Sequence, residues 1–267
     1  MTLEHRYRSP DGVKKDVLDQ FDAEWPQAQH IFEKLADHYQ SDTQIAEICV
    51  GIPLSCPSIF RLRIPSKERI DMLSVALKSH RMFEVWRMET PGSQIEISIV
   101  GEMGNAHLSI GNLREARKSL SAAASMARKH GPGSDEEVWL GNLAVVFAEE
   151  RRFSRAMSTC RRSIELAKAK SNPQLLADQQ RLAGTVQMDI GNQRKALFML
   201  FEALKAHAEL TDLCGMAIDL REIAGAFAGV GDIKSAKQFL LNAIELGLRA
   251  GLPLAEIEWP EILKHIT

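Results

Sequence analysis

The sequence predicts an all-α protein, a right-handed α-solenoid built from helical hairpins. Three observations predict it. Alanines Ala116, Ala156, Ala196 and Ala236 recur at a constant interval of 40 residues. Each is followed four positions later by Leu120, Cys160, Leu200 or Leu240, and seven positions later by a small residue, Ala123, Ser163, Ala203 or Ala243. The composition is 45 % hydrophobic but only 6 % aromatic, which favours closely packed helices over a sheet sandwich. A fixed period of this size marks an array whose units bury their apolar faces only against neighbours.

Composition also narrows the function classes. A formal net charge of −2 over 267 residues lacks the basic excess of a dedicated nucleic-acid binder. The cysteines Cys49, Cys56, Cys160 and Cys214 show no Cys-x-x-Cys spacing, as suits a reducing compartment. The stretch Met1 to Lys15 is too polar for a signal peptide, and no window approaches ~18 uninterrupted apolar residues. The expected protein is cytoplasmic, with no membrane segment, no cofactor and no metal.

In chain order, residues 1–12 read as a flexible arm ending in the turn Ser9-Pro10-Asp11-Gly12. Residues 13–95 form an N-terminal helical region. Val17, Leu18, Phe21 and Trp25 recur at helical spacing, and Pro26 marks where a new helix would begin, continued by Phe32, Leu35, Ala36 and Tyr39. Asp42 or Thr43 caps the next helix, with Ile45, Ile48, Cys49 and Leu54 as its stripe. Pro53, Pro57 and Pro65 predict irregular backbone. A helix over about 67–81 then places Arg69, Leu73 and Ala76 at the alanine, large and small offsets of the later units, as one divergent repeat. The insertion that follows, with Trp86, Pro91 and Gly92, predicts a long loop or an extended helix.

Residues 96–250 hold four clear repeats. Their first helices carry Val100, Met103, Gly104 and His107; Leu140, Leu143, Ala144 and Phe147; Gln180, Ala183, Gly184 and Gln187; and Leu220, Ile223, Ala224 and Phe227. The small residue of each set, such as Gly104 or Gly184, admits the second helix closely, with that helix's alanine expected opposite. Gly111-Asn112, Gly191-Asn192 and Gly231-Asp232 supply left-handed turns that end one helix and cap the next. The second repeat has Arg151-Arg152 instead, where a bend is expected. Residues 251–267 predict a C-terminal capping helix.

These offsets resemble the tetratricopeptide repeat, above all in Met103-Gly104-Asn105-Ala106-His107 and Gly191-Asn192-Gln193-Arg194-Lys195-Ala196. The family's usual unit is about 34 residues. The longer unit here is similar to arrays attached to bacterial signalling ATPases of the STAND class, and Arg63-Ile64-Pro65-Ser66-Lys67-Glu68-Arg69-Ile70 and Phe21-Asp22-Ala23-Glu24-Trp25 resemble segments preceding such arrays. No Gly-x-x-x-x-Gly-Lys-Ser/Thr loop occurs, so the ATPase itself is absent from this sequence.

No metalloprotease, nucleophile-elbow or dinucleotide signature occurs either. His107 stands where the repeat takes an aromatic and is read as packing; Cys160 reads as a core thiol. Arg151, Arg152, Arg155, Arg161 and Arg162, flanked by Glu149, Glu150 and Glu165, read as a solvated helix face. The resemblance implies a concave groove lined by fixed first-helix positions: Gly101, Asn105 and Leu108; Gly141, Val145 and Ala148; Arg181, Thr185 and Met188; Arg221, Gly225 and Ala228. Arg181 and Arg221 share one offset, so both face the groove and grip a carboxylate or peptide carbonyls, or both pair with neighbouring acids such as Asp178 and Glu222. Trp86 is either a partner anchor or a side chain packed beneath its loop.

The resulting expectation is a non-catalytic scaffold or adaptor that binds a peptide or helix of another protein, in a bacterial signalling or defence complex. The alternative is a regulatory subunit that senses a peptide or small effector and controls an associated enzyme. No nucleic-acid partner is expected.

Overall fold

The structure, a computed structural model, describes residues 14–87, 93–131 and 133–250. The expected arm at 1–12, the side chain of Trp86 and the expected cap at 251–267 lie outside the described residues. Twelve helices and no strand occur among those residues. They are α1 (Lys14–Ala36), α2 (Thr43–Leu54), α3 (Pro57–Arg63), α4 (Ser66–Arg87), α5 (Gln94–Ser109), α6 (Leu113–His130), α7 (Glu136–Glu149), α8 (Phe153–Ala169), α9 (Pro173–Asp189), α10 (Gln193–Glu209), α11 (Leu213–Gly229) and α12 (Ile233–Arg249). The fold is an all-α solenoid of helical hairpins, and it separates into two compact units, 1–150 and 151–267.

In the first unit, α1 runs unbroken through Pro26, where the sequence predicts a new start. Proline removes one backbone donor there, but the flanking turns are held by packing. Phe21 stacks on Trp25 at 5.5 Å, and Trp25 meets Phe60 edge-on at 5.0 Å. Val17, Leu18, Phe21, Phe32, Cys49, Ile59, Phe60 and Met72 form one core. Asp42 is the N-cap of α2, its carboxylate accepting from the Gln44 N–H at 2.6 Å. Within the predicted α2 stripe, Ile48 is exposed and Ala46 takes the buried place instead. Helix α4 continues past Arg81 to Arg87, as the extended-helix alternative expects; α2 packs on α4 and α4 on α5. Arg69, Leu73 and Ala76, at the repeat offsets, are all buried. The hairpin α5–α6 then stacks through α6 on α7.

In the second unit, α8 packs on α9, α9–α10 and α11–α12 pair as hairpins, and α10 packs on α11. The period-40 alanines Ala116, Ala156, Ala196 and Ala236 are fully buried in their respective units, as are Leu120, Leu200 and Leu240. Burying each of those leucines contributes about 1.5–3 kcal/mol.

The close approach within hairpins differs in one detail from expectation. The leucine, four residues after the alanine, lies nearest the glycine, and at Gly184 the Ala196 carbonyl stands beside it, 3.3 Å from where a Cβ would lie. A Cβ on Gly104 would lie 2.6 Å from Leu120 Cγ, and one on Gly184 would lie 2.8 Å from Leu200 Cγ. A branched side chain needs that space, whereas an alanine methyl does not.

The turns share one device. Gly111, Gly191 and Gly231 have φ of 71°, 91° and 81°, and Arg151, Ser171 and Thr211 adopt the same left-handed conformation at 56°, 52° and 54°. The following N–H groups close back on the helix, as in Asn112 to His107, Asn172 to Ala167, Asn192 to Gln187, Asp212 to His207 and Asp232 to Phe227, each at 2.9–3.0 Å. These bonds satisfy carbonyls that a helix end leaves open. Asn112, Asn172 and Asp232 then cap the next helix through their side chains.

Candidate partner-binding face

The first helices carry the candidate positions, and each unit arranges its own set. In the first unit, Asn105 on α5 is buried and fixed on both sides. Its Nδ2 donates to Glu102 Oε1 at 3.3 Å, and its Oδ1 accepts from Asn142 Nδ2 of α7 at 2.8 Å. Leu108 on α5 and Val145 and Ala148 on α7 are half-buried. Gly101 and Gly141 are buried. Gly101 lies beneath Trp139, whose ring would be 2.4–2.5 Å from a Cβ at that site, so this expected groove position is covered.

In the second unit, Thr185 Oγ1 donates to the Arg181 carbonyl at 3.0 Å. Met188 on α9 reaches across to α11, its sulfur 3.7 Å from where a Cβ on Gly225 would stand. Gly225 is exposed and Ala228 half-buried. The two arginines resolve toward acidic neighbours. Arg221 Nη2 donates to Glu222 Oε1. Arg181, its side chain 18 % exposed, donates from Nη2 to Asp178 at 2.5 Å and from Nη1 to Asp219 of α11 at 3.3 Å.

That second contact leads to a group the sequence reading missed. His207, on α10, is fully buried, with Nδ1 2.6 Å from Asp219 Oδ2 and Nε2 3.5 Å from Asp178 Oδ1. Asp219 is fully buried too. Burial alone would lower the His207 pKa; the carboxylates of Asp178 and Asp219 override it and hold it up at about 9. Burial would raise the Asp178 carboxyl, yet His207 and Arg181 bring it below its ordinary value. With His207 protonated, two cations face two carboxylates, and the cluster ties three successive helices together. A lone charge in that place would be costly; the paired set is tolerable because hydrogen bonds replace lost solvation.

A sequence signal for it exists. His207 occupies the offset at which the other repeats carry Ala127, Ala167 and Gly247, all of them buried. Gly215 stands where the preceding repeat has Leu175. A Cβ on Gly215 would lie 2.4 Å from His207 Cδ2, so the enlargement on α10 is matched by a reduction on α11.

Little reactive chemistry accompanies these faces. Cys160 is buried, its Sγ 3.4 Å from the Gln179 carbonyl, and burial pushes its thiol up to about 11. In the basic run, Arg162 pairs with Glu165 at 3.3 Å, and Arg151 lies over the Phe153 ring at 5.8 Å. Among the described residues, no group of three or more His, Cys, Asp or Glu side chains is placed to hold a metal ion. No single described helix is long and apolar enough to cross a membrane.

The sequence matches no protein-family model and no curated relative. Solved structures do resemble it. A Rap protein complexed with Competence and Sporulation Factor superposes with a TM-score of 0.70 at 16 % identity, covering 99 % of this chain and 69 % of that one. BtubC from P. vanneervenii superposes at 0.63 with 16 % identity, covering 85 % and 90 %. A STAND signal-transduction ATPase with a tetratricopeptide repeat sensor, from Pyrococcus horikoshii, superposes at 0.58 with 14 % identity; the match covers 88 % of this chain and 34 % of that one. At such identities the likeness establishes the fold alone. That fold is the tetratricopeptide type, an array of helical hairpins with a longer repeat.

Proposed function

We propose that this chain is a non-catalytic interaction scaffold that takes a peptide or helix of another protein along the first-helix faces of its hairpins. One observation carries the reading. Within each unit, residues 37 apart, three short of one repeat, bring successive first helices side by side, Asn105 with Asn142 and Met188 with Gly225. Within each unit the face therefore continues from one first helix to the next, with the Asn105 and Asn142 amides already bonded to each other. A preformed surface loses little conformational entropy on binding, and a row of anchors at helix spacing suits a helix or an extended peptide. Asn105, Leu108, Val145 and Ala148 serve the first unit. Thr185, Met188 and the Arg221 edge serve the second, with Arg181 as the buried support beneath. A signalling setting accords with the likeness to the STAND sensor.

A second reading is supported by the Rap protein solved with Competence and Sporulation Factor: a regulatory subunit that senses a peptide or small effector. The test is co-purification of the tagged chain beside a Gly225→Trp, Asn142→Lys variant, followed by intact mass spectrometry. A stoichiometric protein retained by wild type and lost by the variant is the expected result. A short peptide or metabolite in its place favours the sensor. Retention of the same partner by both proteins rules out the first-helix faces as the site.

A further inference from the structure

The second helices of the second unit carry an outer face that the proposed function does not use. Exposed positions of α8, α10 and α12 hold ten Lys and Arg against four Glu, while α9 and α11 expose no Lys or Arg. A chain of net charge −2 thus keeps one strongly positive face. That face is also apolar. Of the eleven exposed large hydrophobic side chains among the described residues, five stand on α10 and α12: Phe198 at 68 %, Phe201, Ile233, Leu241 and Leu248 at 62 %. Helix α6, the second helix of an earlier hairpin, exposes cations but none of these. Large apolar side chains gathered in this way mark a contact surface.

The two chemistries alternate at the spacing of one helical turn. Arg194 and Lys195 precede Phe198 by four and three residues, Lys205 follows Phe201 by four, and Lys237 precedes Leu241 by four; each pair shares a helix face. Glu202 and Glu245 are the carboxylates among them. The patch is tied to the body of the unit. The Phe201 ring meets Phe239 edge-on at 5.8 Å, and Phe239 stacks on Phe227 of α11 at 5.2 Å. At its edge, Asn192 turns its amide to Gln187 at 3.0 Å and leaves the first turn of α10 without a side-chain cap, so the positive end of that helix adds to the field.

Duplex nucleic acid would engage the cations and gain little from protruding Phe198 and Leu248. A partner helix calls for a continuous apolar stripe instead of one broken by charge at every turn. The boundary between phospholipid headgroups and acyl chains satisfies both sets at once: lipid phosphates meet the cations, and methylenes just beneath receive the apolar tips. We infer that the outer face of α8, α10 and α12 is a docking surface for an anionic phospholipid bilayer. Phe198, Leu241 and Leu248 enter the headgroup layer, and Arg194, Lys195 and Lys237 lie against the lipid charges. Docking there leaves the first-helix faces free for a protein partner.

The test is co-sedimentation of the full chain with vesicles of phosphatidylcholine, alone or mixed with phosphatidylserine. The chain should sediment with the mixed vesicles, stay in solution with phosphatidylcholine alone, and be released as salt is raised. Paired Lys195→Gln and Lys237→Gln substitutions should weaken binding about fivefold per cation, and Phe198→Ser should weaken it about tenfold. All three positions are exposed, so Tm should hold. A Lys78→Gln, Lys129→Gln variant, with the same change of net charge placed elsewhere, should bind as wild type does. Absence of sedimentation with the mixed vesicles, equal binding to phosphatidylcholine alone, or equal losses in the two lysine pairs would each overturn the inference. So would self-association that Phe198→Ser abolishes while vesicles are ignored, which would give the face to a second copy of the chain.

Discussion

The same pair of repeat positions is occupied by opposite chemistries in the two units. In the first, Gly101 on α5 lies under the indole of Trp139 on α7. In the second, two periods later, Arg181 on α9 bonds Asp219 on α11. Both pairs join a first helix to the next first helix. The apolar version needs a glycine for clearance and nothing else. The ionic version needs two further residues, Asp178 and His207, to balance its charge, and a third, Gly215, to make room. One backbone arrangement thus supports a pH-indifferent contact and a titratable one.

Removing the imidazole should separate the two most strongly. His207→Ala leaves the fully buried Asp219 with a single ion-pair partner and opens a void, and should cost about 3–5 kcal/mol. Hydrogen exchange should accelerate in α9, α10 and α11 while α5, α6 and α7 keep their protection. Unchanged protection in α10 would show that the cluster is not what holds these helices.

The apolar pair should break by crowding. Gly101→Ala places a methyl 2.4 Å from the Trp139 ring, which is buried and cannot swing clear. The cost should be about 3 kcal/mol, at the upper end for overpacking. Urea denaturation followed by tryptophan fluorescence measures it.

Titration should touch the ionic contact and spare the apolar one. The folded pKa of His207, about 9, lies above its ordinary 6.5. Its stabilisation is therefore complete below 6.5 and is lost as pH rises through 9, a change on the order of 3 kcal/mol. Asp178 acts in the opposite sense: its folded pKa is lowered, so its contribution holds above the ordinary carboxylate range and falls away in acid. Protection factors corrected for intrinsic exchange, compared on either side of the window, should drop in α10 and α11 and stay level in α6. A His207→Ala background should abolish the drop.

The smallest effect concerns the turns. Thr211 holds φ of 54°, a conformation that strains a β-branched residue. Thr211→Gly should raise stability by about 1 kcal/mol, read as a higher Tm. The same change at Gly231 has no counterpart, since glycine is already there.

Much of the fold was legible because its signals are local or periodic. The buried alanines and leucines repeat at one interval, and a glycine before an asparagine or aspartate announces a left-handed stop. Arg151, Ser171 and Thr211 adopt that stop without the residue type that signals it, because the closing hydrogen bonds and helix packing impose the conformation. Pro26 misled for a similar reason: the aromatic contacts of Phe21 and Trp25 keep α1 whole. At the candidate face, the spacing correctly put Arg181 and Arg221 on equivalent positions and offered Asp178 and Glu222 as partners. Asp219 and His207 were out of reach, since they meet Arg181 from other helices, and dispersed histidines carry no spacing signal of their own.

The sequence by itself determined the all-α class, the period, the hairpin turns and the residues that pack at each repeat's centre. Those follow from backbone preferences and from side-chain size at fixed intervals. Only the tertiary structure decided which groups neutralise one another and that Gly101 is covered by Trp139. Charge pairing and burial depend on distances between helices that are remote in sequence, and a periodic pattern does not encode those distances.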